Sequence, residues 1–311
     1  MVGLVLDGVR PGLPISIADF EQELDRRRSG AAGTTPRKES DVPRFLSGVY
    51  NGFTTGAPLT IAFENADTDS SSYDTVKELP RPGHADFVAS KKFNGFQDHR
   101  GGGHFSGRLT VCLVAAGIVA RKMISALNNN NTPVSISARL LSAGDDENIE
   151  RAIAAAIENQ DSIGGIVECR ISNVTVGFGE PFFDSFESVM SHAVFSIPAI
   201  KGIEFGSGFS ATGMKGSEHN DALIDTAGKY ASNHSGGVTG GISNGNDIVF
   251  RVAVKPASST PKEQSTLNVK TGDMQRIAVK GRHDLCIALR VPPVLEALAA
   301  SVLADFMCLS K

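Results

Sequence analysis

The stretch LTVCLVAAGIVARKMISAL, residues 109–127, is apolar nearly all round. A helix with no polar face has to be enclosed by other elements. Ala115, Ala116 and Gly117 carry little side chain and let a neighbour approach closely, while Asn128 to Asn131 and Pro133 end the helix. Before it, Gly3 to Leu6 reads as a short strand, followed by turns at Asp7-Gly8 and Pro11-Gly12. Ser16 and Asp19 form a capping-box pattern for a helix from Ile17 to about Arg28, with Ile17, Phe20 and Leu24 on one face. That helix ends in Asp25-Arg26-Arg27-Arg28, and the polar stretch from Gly33 to Glu39 reads as a loop. Between Phe45 and Glu64 the pattern is strand, turn, strand: Asn51-Gly52 marks a hairpin, and Leu59, Ile61 and Phe63 alternate. Asp67 to Tyr73 is a Ser/Asp loop, and the Gly-, His- and Arg-rich region from Pro80 to Gly107 reads as a functional loop region.

Beyond residue 127 the spacing predicts strands at Val134–Leu141, Ile166–Val176 and Val249–Val254. It predicts helices at Asn148–Glu158, Phe186–Ile197 and about Pro293–Cys308. Helices mixed with hairpin-connected strands favour an α+β fold over a repeating βαβ sheet. No linker-like segment divides residues 1–311, so one domain is expected.

Composition narrows the classes of function. A net charge of -4 gives no general attraction for nucleic acid or an anionic membrane surface, so any anion site must be a local cluster of cations. Cys112, Cys169, Cys286 and Cys308 show neither zinc spacing nor disulfide density and read as reduced core thiols. The first residues lack a signal-peptide pattern, and no stretch is expected to reach the length of a membrane span. A cytoplasmic protein is the expectation.

Three glycine-rich segments could bring backbone N–H groups close to an anion: residues 100–108, residues 236–245 and Lys255-Pro256-Ala257-Ser258-Ser259. The first runs straight into the 109–127 helix, whose N-terminus adds the positive end of a dipole. None fits a Walker or dinucleotide fingerprint. Arg26 to Arg28, Arg81, Arg108, Lys255 and Arg282 stand mostly beside glycine or proline in loops, and arginine offers a fork suited to phosphate and carboxylate. His84 and Asp284 add titratable groups in segments of the same kind, whereas His99, His192, His219 and His234 read as ordinary polar residues. No nucleophile elbow or HExxH is present. These residues point to a pocket for a polyanionic small molecule and leave the reaction open.

Larger blocks carry a resemblance. Asp25-Arg26-Arg27-Arg28, Arg81-Pro82-Gly83-His84-Ala85-Asp86, the Arg100 to Arg108 segment, Ser232 to Gly237 with Gly240 to Gly245, and Lys280-Gly281-Arg282-His283-Asp284 resemble the signature blocks of the chorismate synthase family. They occur in the family's order across nearly the whole chain. The resemblance implies a β-α-β sandwich, with antiparallel sheets around a helical layer, usually as a homotetramer. It implies conversion of 5-enolpyruvylshikimate 3-phosphate to chorismate and phosphate by a 1,4-elimination that requires reduced FMN. By position, Arg27, Arg81, Arg108 and Arg282 would grip the substrate's phosphate and carboxylates. His104, Phe105, Ser106, Pro198, Ala199, Gly240, Lys255, Pro256, Ala257, Ser258, Ser259 and Arg282 would line the FMN site. His84 would protonate the reduced flavin, and Asp284 would help its N5 take the substrate proton.

The sequence departs from the family pattern at three places. His104-Phe105-Ser106 stands where many members have Arg-Ser-Ser. Gly33 replaces a second loop arginine, which weakens the NADPH site that Arg27 would otherwise help to form. Family members also begin with a strand and loop carrying Gly-Glu-Ser-His-Gly, whose histidine acts as acid for the departing phosphate; this sequence starts just after that motif. A flavin- or anion-binding protein of the same fold with impaired catalysis is therefore the alternative expectation.

Overall fold

The computed structural model describes residues 1–37, 39–66, 77–98, 100–128, 132–226, 228–279 and 283–309. Strand β1 (Val2–Leu6) leads into helix α1 (Ala18–Arg27), then β2 (Arg44–Ser47), the hairpin β3 (Val49–Tyr50) and β4 (Phe53–Thr54), and β5 (Leu59–Phe63). Helix α2 (Asp86–Lys92) and the long α3 (Thr110–Leu127) follow. The second half holds β6 (Ser135–Ala143), α4 (Ile149–Glu158), β7 (Gly165–Ser172), α5 (Phe186–Val194), β8 (Ile200–Phe205) and the short α6 (Gly216–His219). It continues through β9 (Val238–Thr239), β10 (Ile242–Ser243), β11 (Ile248–Val254), β12 (Gln264–Leu267) and β13 (Met274–Ile277) to α7 (Val291–Leu309).

Two antiparallel sheets enclose the helices. The smaller has the order β1-β5-β2, with Leu4 opposite Ile61, and the larger has the order β6-β7-β11-β8. Helix α3 packs on β1, α7 packs on β6 and β7, and the two helices pack along one another, giving a sheet–helix–sheet sandwich. Strand β11 shows why the larger sheet forms: Ile248, Phe250, Val252 and Val254 alternate along it and are all buried, so one pleated face is apolar. Helix α3 lies close to α7 because residue 117 is glycine; a Cβ there would stand 2.3 Å from Cα and Cβ of Ala297.

Glu296 is a buried charge in this layer, 3% exposed, and it is fully partnered. Arg26 donates to both of its oxygens at 2.7 and 2.8 Å, Arg121 donates at 3.2 Å, and the Ala138 N–H donates at 2.8 Å. One carboxylate thereby ties α1, α3, β6 and α7 together.

Several sequence expectations need correction. The strand expected to reach Val176 ends at Ser172, because Asn173 turns into the left-handed region at φ 64°. The helix expected to reach Ile197 ends at Val194. Ser16 does not cap α1 with its oxygen; its N–H and O–H both donate to Asp19. The Pro80–Gly107 region contains the two-turn α2, and β8 and the β12–β13 hairpin were not foreseen. Cys308 is exposed rather than in the core. Two helical stretches, Gly107–Leu127 and Ile287–Leu309, are long and apolar enough by length and composition to cross a membrane, contrary to the expectation; here they form the packed pair of the sandwich. The Asp67–Tyr73 loop lies outside the described residues.

Candidate active site

A cavity of about 770 Å³ opens where α3 and α7 begin. Its wall is assembled from the last turn of α1, the loop after it, the loop before α2, residues 102–108, the loop after α5, residues 255–259 and the segment leading into α7. These pieces are far apart in sequence and meet because both central helices start at the same end of the sandwich. Among the described lining residues there are seven cationic side chains (Arg27, Arg28, Arg37, Arg81, Arg108, Lys255 and Arg290) against three carboxylates (Glu39, Asp41 and Asp284). A chain of net charge -4 has thus gathered a strongly positive cavity.

The arginines at its floor are held by the protein itself. Arg27, 3% exposed, donates from Nε to Thr110 Oγ1 at 3.0 Å, from Nη1 to Asp41 at 3.1 Å, and from Nη2 to the carbonyls of Gly107 and Arg108 at 3.3 Å. Asp41 reaches this position through a left-handed backbone, φ 50°, and its other oxygen takes the Arg108 guanidinium. Arg108 also donates to Asn65 Oδ1 and to the Glu64 carbonyl, each at 3.1 Å. Arg290 donates from Nε to the Arg27 carbonyl at 3.1 Å. Burial, and next the positive charge of Arg290, drive the Arg27 guanidinium down to about 10; Asp41 opposes this and Arg108 adds to it. Two guanidiniums thus share one buried counter-charge, with that of Arg290 close by.

A second cluster surrounds His84. Arg81, also buried, lays its Nε and Nη2 along the Asp86 carboxylate at 2.8 Å each, and its Nη1 donates to Ser259 Oγ at 3.0 Å. His84 Nδ1 meets Asp86 Oδ1 at 2.6 Å. Burial disfavours the charge on Asp86, yet the hydrogen bonds from Arg81 and His84, with their charges, hold this carboxyl well below the usual carboxylate range. Ser258 Oγ donates to the Gly83 carbonyl at 2.7 Å and receives Lys255 Nζ at the same distance, so residues 255–259 clamp the turn that carries His84. Burial, and then Lys201, pull the Lys255 ammonium below its ordinary value.

Asp284 is the third titratable group. Its Oδ1 accepts the Thr35 N–H at 2.8 Å, and Arg290 Nη1 lies 3.2 Å from its Oδ2. Beside it, burial and then the Arg81 cation push His283 below its ordinary value, with Asp284 opposing them. The loop that supplies Thr35 is docked by Gly33, whose carbonyl takes the N–H groups of Leu285 and Cys286 at 2.8 and 3.1 Å. Gly33 has φ 82°, and a Cβ there would stand 2.9 Å from Ile153 Cγ2, so this backbone path suits glycine.

Of the residues expected from sequence, Arg27, Arg81, His84, His104, Phe105, Ser106, Arg108, Pro198, Ala199, Lys255, Ala257, Ser258, Ser259 and Asp284 all line the cavity. Pro256 lies in the same loop, while Gly240 sits in the β9–β10 turn and is not in the lining. Arg282 lies outside the described residues. Sequence reasoning missed Arg290, Asp41, Arg37 and Thr35. Arg290 had left a signal: a cation immediately before a long apolar helix stands at the wrong end of the helix dipole and needs an anion nearby. Asp41 left none, since only its backbone turn aims it inward.

The comparisons agree with the architecture. The family model described as chorismate synthase matches residues 1–308. The chain is 59% identical over 310 residues to the chorismate synthase of Chitinophaga pinensis, covering all of this chain and 92% of that protein. It is 44% identical over 335 residues to that of Korarchaeum cryptofilum, covering 98% of this chain and 91% of the relative. A crystal structure of chorismate synthase superposes with a TM-score of 0.71 at 25% identity, over 97% of this chain and 86% of the other. The sandwich, the cation-lined cavity at its helix starts and these matches place the chain in the chorismate synthase family.

Proposed function

We propose that the cavity takes 5-enolpyruvylshikimate 3-phosphate together with reduced FMN, and that the chain eliminates phosphate across the substrate ring to give chorismate. The observation that carries the reading is the gathering of Arg27, Arg108 and Arg290 at one end of the cavity, with Asp41 shared by the first two and Asp284 paired with the third. That arrangement is relieved by a bound polyanion, and this substrate brings a phosphate and two carboxylates. Because the Arg27 donors are taken up by Thr110, Asp41 and two carbonyls, Arg27 acts chiefly through its charge, and an NADPH site at this residue forms no part of the proposal.

The cavity also fits a flat, anionic cofactor. Its volume lies within the usual range for small-molecule sites. Phe105, Phe195, Pro198 and Ile287 give it apolar wall, while Lys255 and the serines at 106 and 259 offer donors. Reduced FMN bound there would supply an electron-rich ring that stabilises the centre from which phosphate departs. The chain's own groups do the rest. The arginine cluster neutralises the leaving phosphate without reorganising, since its members are already fixed. Asp284, steadied by Thr35 and Arg290, assists removal of the substrate proton. His84, with Nδ1 given to Asp86, exchanges a proton at Nε2. By resemblance the working form is a homotetramer.

The test mixes the chain anaerobically with substrate and either reduced or oxidised FMN, and follows chorismate and phosphate together. Equimolar release of both with reduced FMN only is expected. Flavin binding with no chorismate would support a ligand-binding protein instead, and equal turnover with oxidised FMN would refute the cofactor assignment.

A further inference from the structure

We infer that Asp86 is a positioning residue for His84, fixing the imidazole as the Nδ1–H form so that Nε2 is the nitrogen left to accept a proton. The inference rests on the reading of His84 as a proton-exchanging group. Its geometry is independent of that reading.

An ionised carboxylate only accepts hydrogen bonds, so the 2.6 Å contact with Asp86 Oδ1 requires the proton to sit on His84 Nδ1. Asp86 stays ionised because it is bracketed by Arg81, which donates from Nε, Nη2 and its backbone N–H at 2.8, 2.8 and 3.0 Å. All these partners fall within a six-residue turn, Arg81 to Asp86, so the arrangement is local and rigid. Arg81 is locked in turn by Ser259, and the Gly83 carbonyl by Ser258, which prevents the turn from opening. Arg81 Nη2 also lies 3.0 and 3.2 Å from the two ring nitrogens of His84, so a cation and an anion contact the imidazole together. Asp86 itself faces the neighbouring cavity of about 180 Å³ and is not in the wall of the larger one. Its side-chain contacts with the wall of the larger cavity run to His84 and Arg81. A carboxylate behind a histidine selects the tautomer and orientation of the ring, and its amide replacement presents the wrong nitrogen.

The experiment combines nitrogen NMR with kinetics on the full chain. With ¹⁵N-histidine labelling, and His84→Gln to assign the signal, the neutral form of His84 in the parent protein is expected to be protonated at Nδ1. A neutral form protonated at Nε2 would overturn the inference without any variant being needed. Asp86→Asn should shift the neutral form toward Nε2–H. It should lower the single-turnover rate by roughly 10- to 1,000-fold, somewhat less than the roughly 100- to 10,000-fold of an acid–base group itself because Asp86 acts through His84, with the Kd for reduced FMN nearly unchanged. An unaltered tautomer with unaltered turnover would refute the positioning role. Parallel loss of melting temperature, FMN affinity and rate would show Asp86 to be a strut for Arg81. Full turnover by His84→Gln would sink the reading of His84 as a proton carrier, while the tautomer measurement would still decide what Asp86 does.

Discussion

Replacing Asp41 by Asn leaves the size of the side chain and removes the one carboxylate shared by Arg27 and Arg108. At an effective dielectric near 20, unit charges at the 3.1 Å of the Arg27–Asp41 contact attract by about 5 kcal/mol. Part of this is offset by the hydrogen bonds an amide retains and by the carbonyls that already receive Arg27. Removing one partner of a buried pair costs about 3–5 kcal/mol. At about 2 °C per kcal/mol for a chain of this size, the melting temperature should fall by roughly 6–10 °C. The cost should also depend on anions, because the uncompensated guanidiniums then bind phosphate more tightly. A tenfold gain in affinity corresponds to about 1.4 kcal/mol, so saturating inorganic phosphate should narrow the gap between variant and parent by about that much. The assay is thermal unfolding of both proteins across a phosphate titration, with chloride at matched ionic strength as control. An unchanged melting temperature, or a gap that phosphate leaves constant, would show that Asp41 does not hold the cation cluster and that the cluster is not an anion site.

Two further outcomes follow from the same structure. Because the folded Asp86 carboxyl lies below the ordinary range, its stabilisation is present above about pH 4 and is lost as the pH falls toward its folded value. The stability difference between parent and Asp86→Asn should therefore be flat above about pH 5 and shrink below about pH 4, as read by urea unfolding at each pH. Gly117→Ala should destabilise by about 1–3 kcal/mol through overpacking against Ala297, and an unchanged urea midpoint would mean that the helices can move apart freely.

Much of the sandwich was legible because its elements advertise their surroundings. Residues 109–127 have no polar face, so burial was the available outcome, and the alternation of Leu59, Ile61 and Phe63 could not fit a helix. Strand β8 was obscured because Gly202 interrupts its pattern, and the β12–β13 hairpin because polar residues fill its strands. For the site, loop cations beside proline or glycine marked Arg81 and Arg108 in the sequence itself. The partners that define their state were hidden. Asp41 lies 67 residues from Arg108 and becomes its counter-ion only through a left-handed turn. Arg290 meets Asp284 and the Arg27 carbonyl because α7 begins where α1 ends, a fact of packing rather than of local sequence.

The close passage of α3 and α7 at Gly117 and Ala297 has a consequence for the chemistry at their ends. Arg108 stands just before one helix and Arg290 just before the other, so the gap between these two cations is set by how far one helix is advanced along its neighbour. A helix rises 1.5 Å per residue. A slip of one residue would displace one guanidinium from the other by about that distance, enough to cost on the order of a hundredfold in rate. If the cavity takes the proposed substrate, the interlocked backbones act as a gauge block for the cations that would meet its charges, and changes deep between the helices should alter kinetics as well as stability.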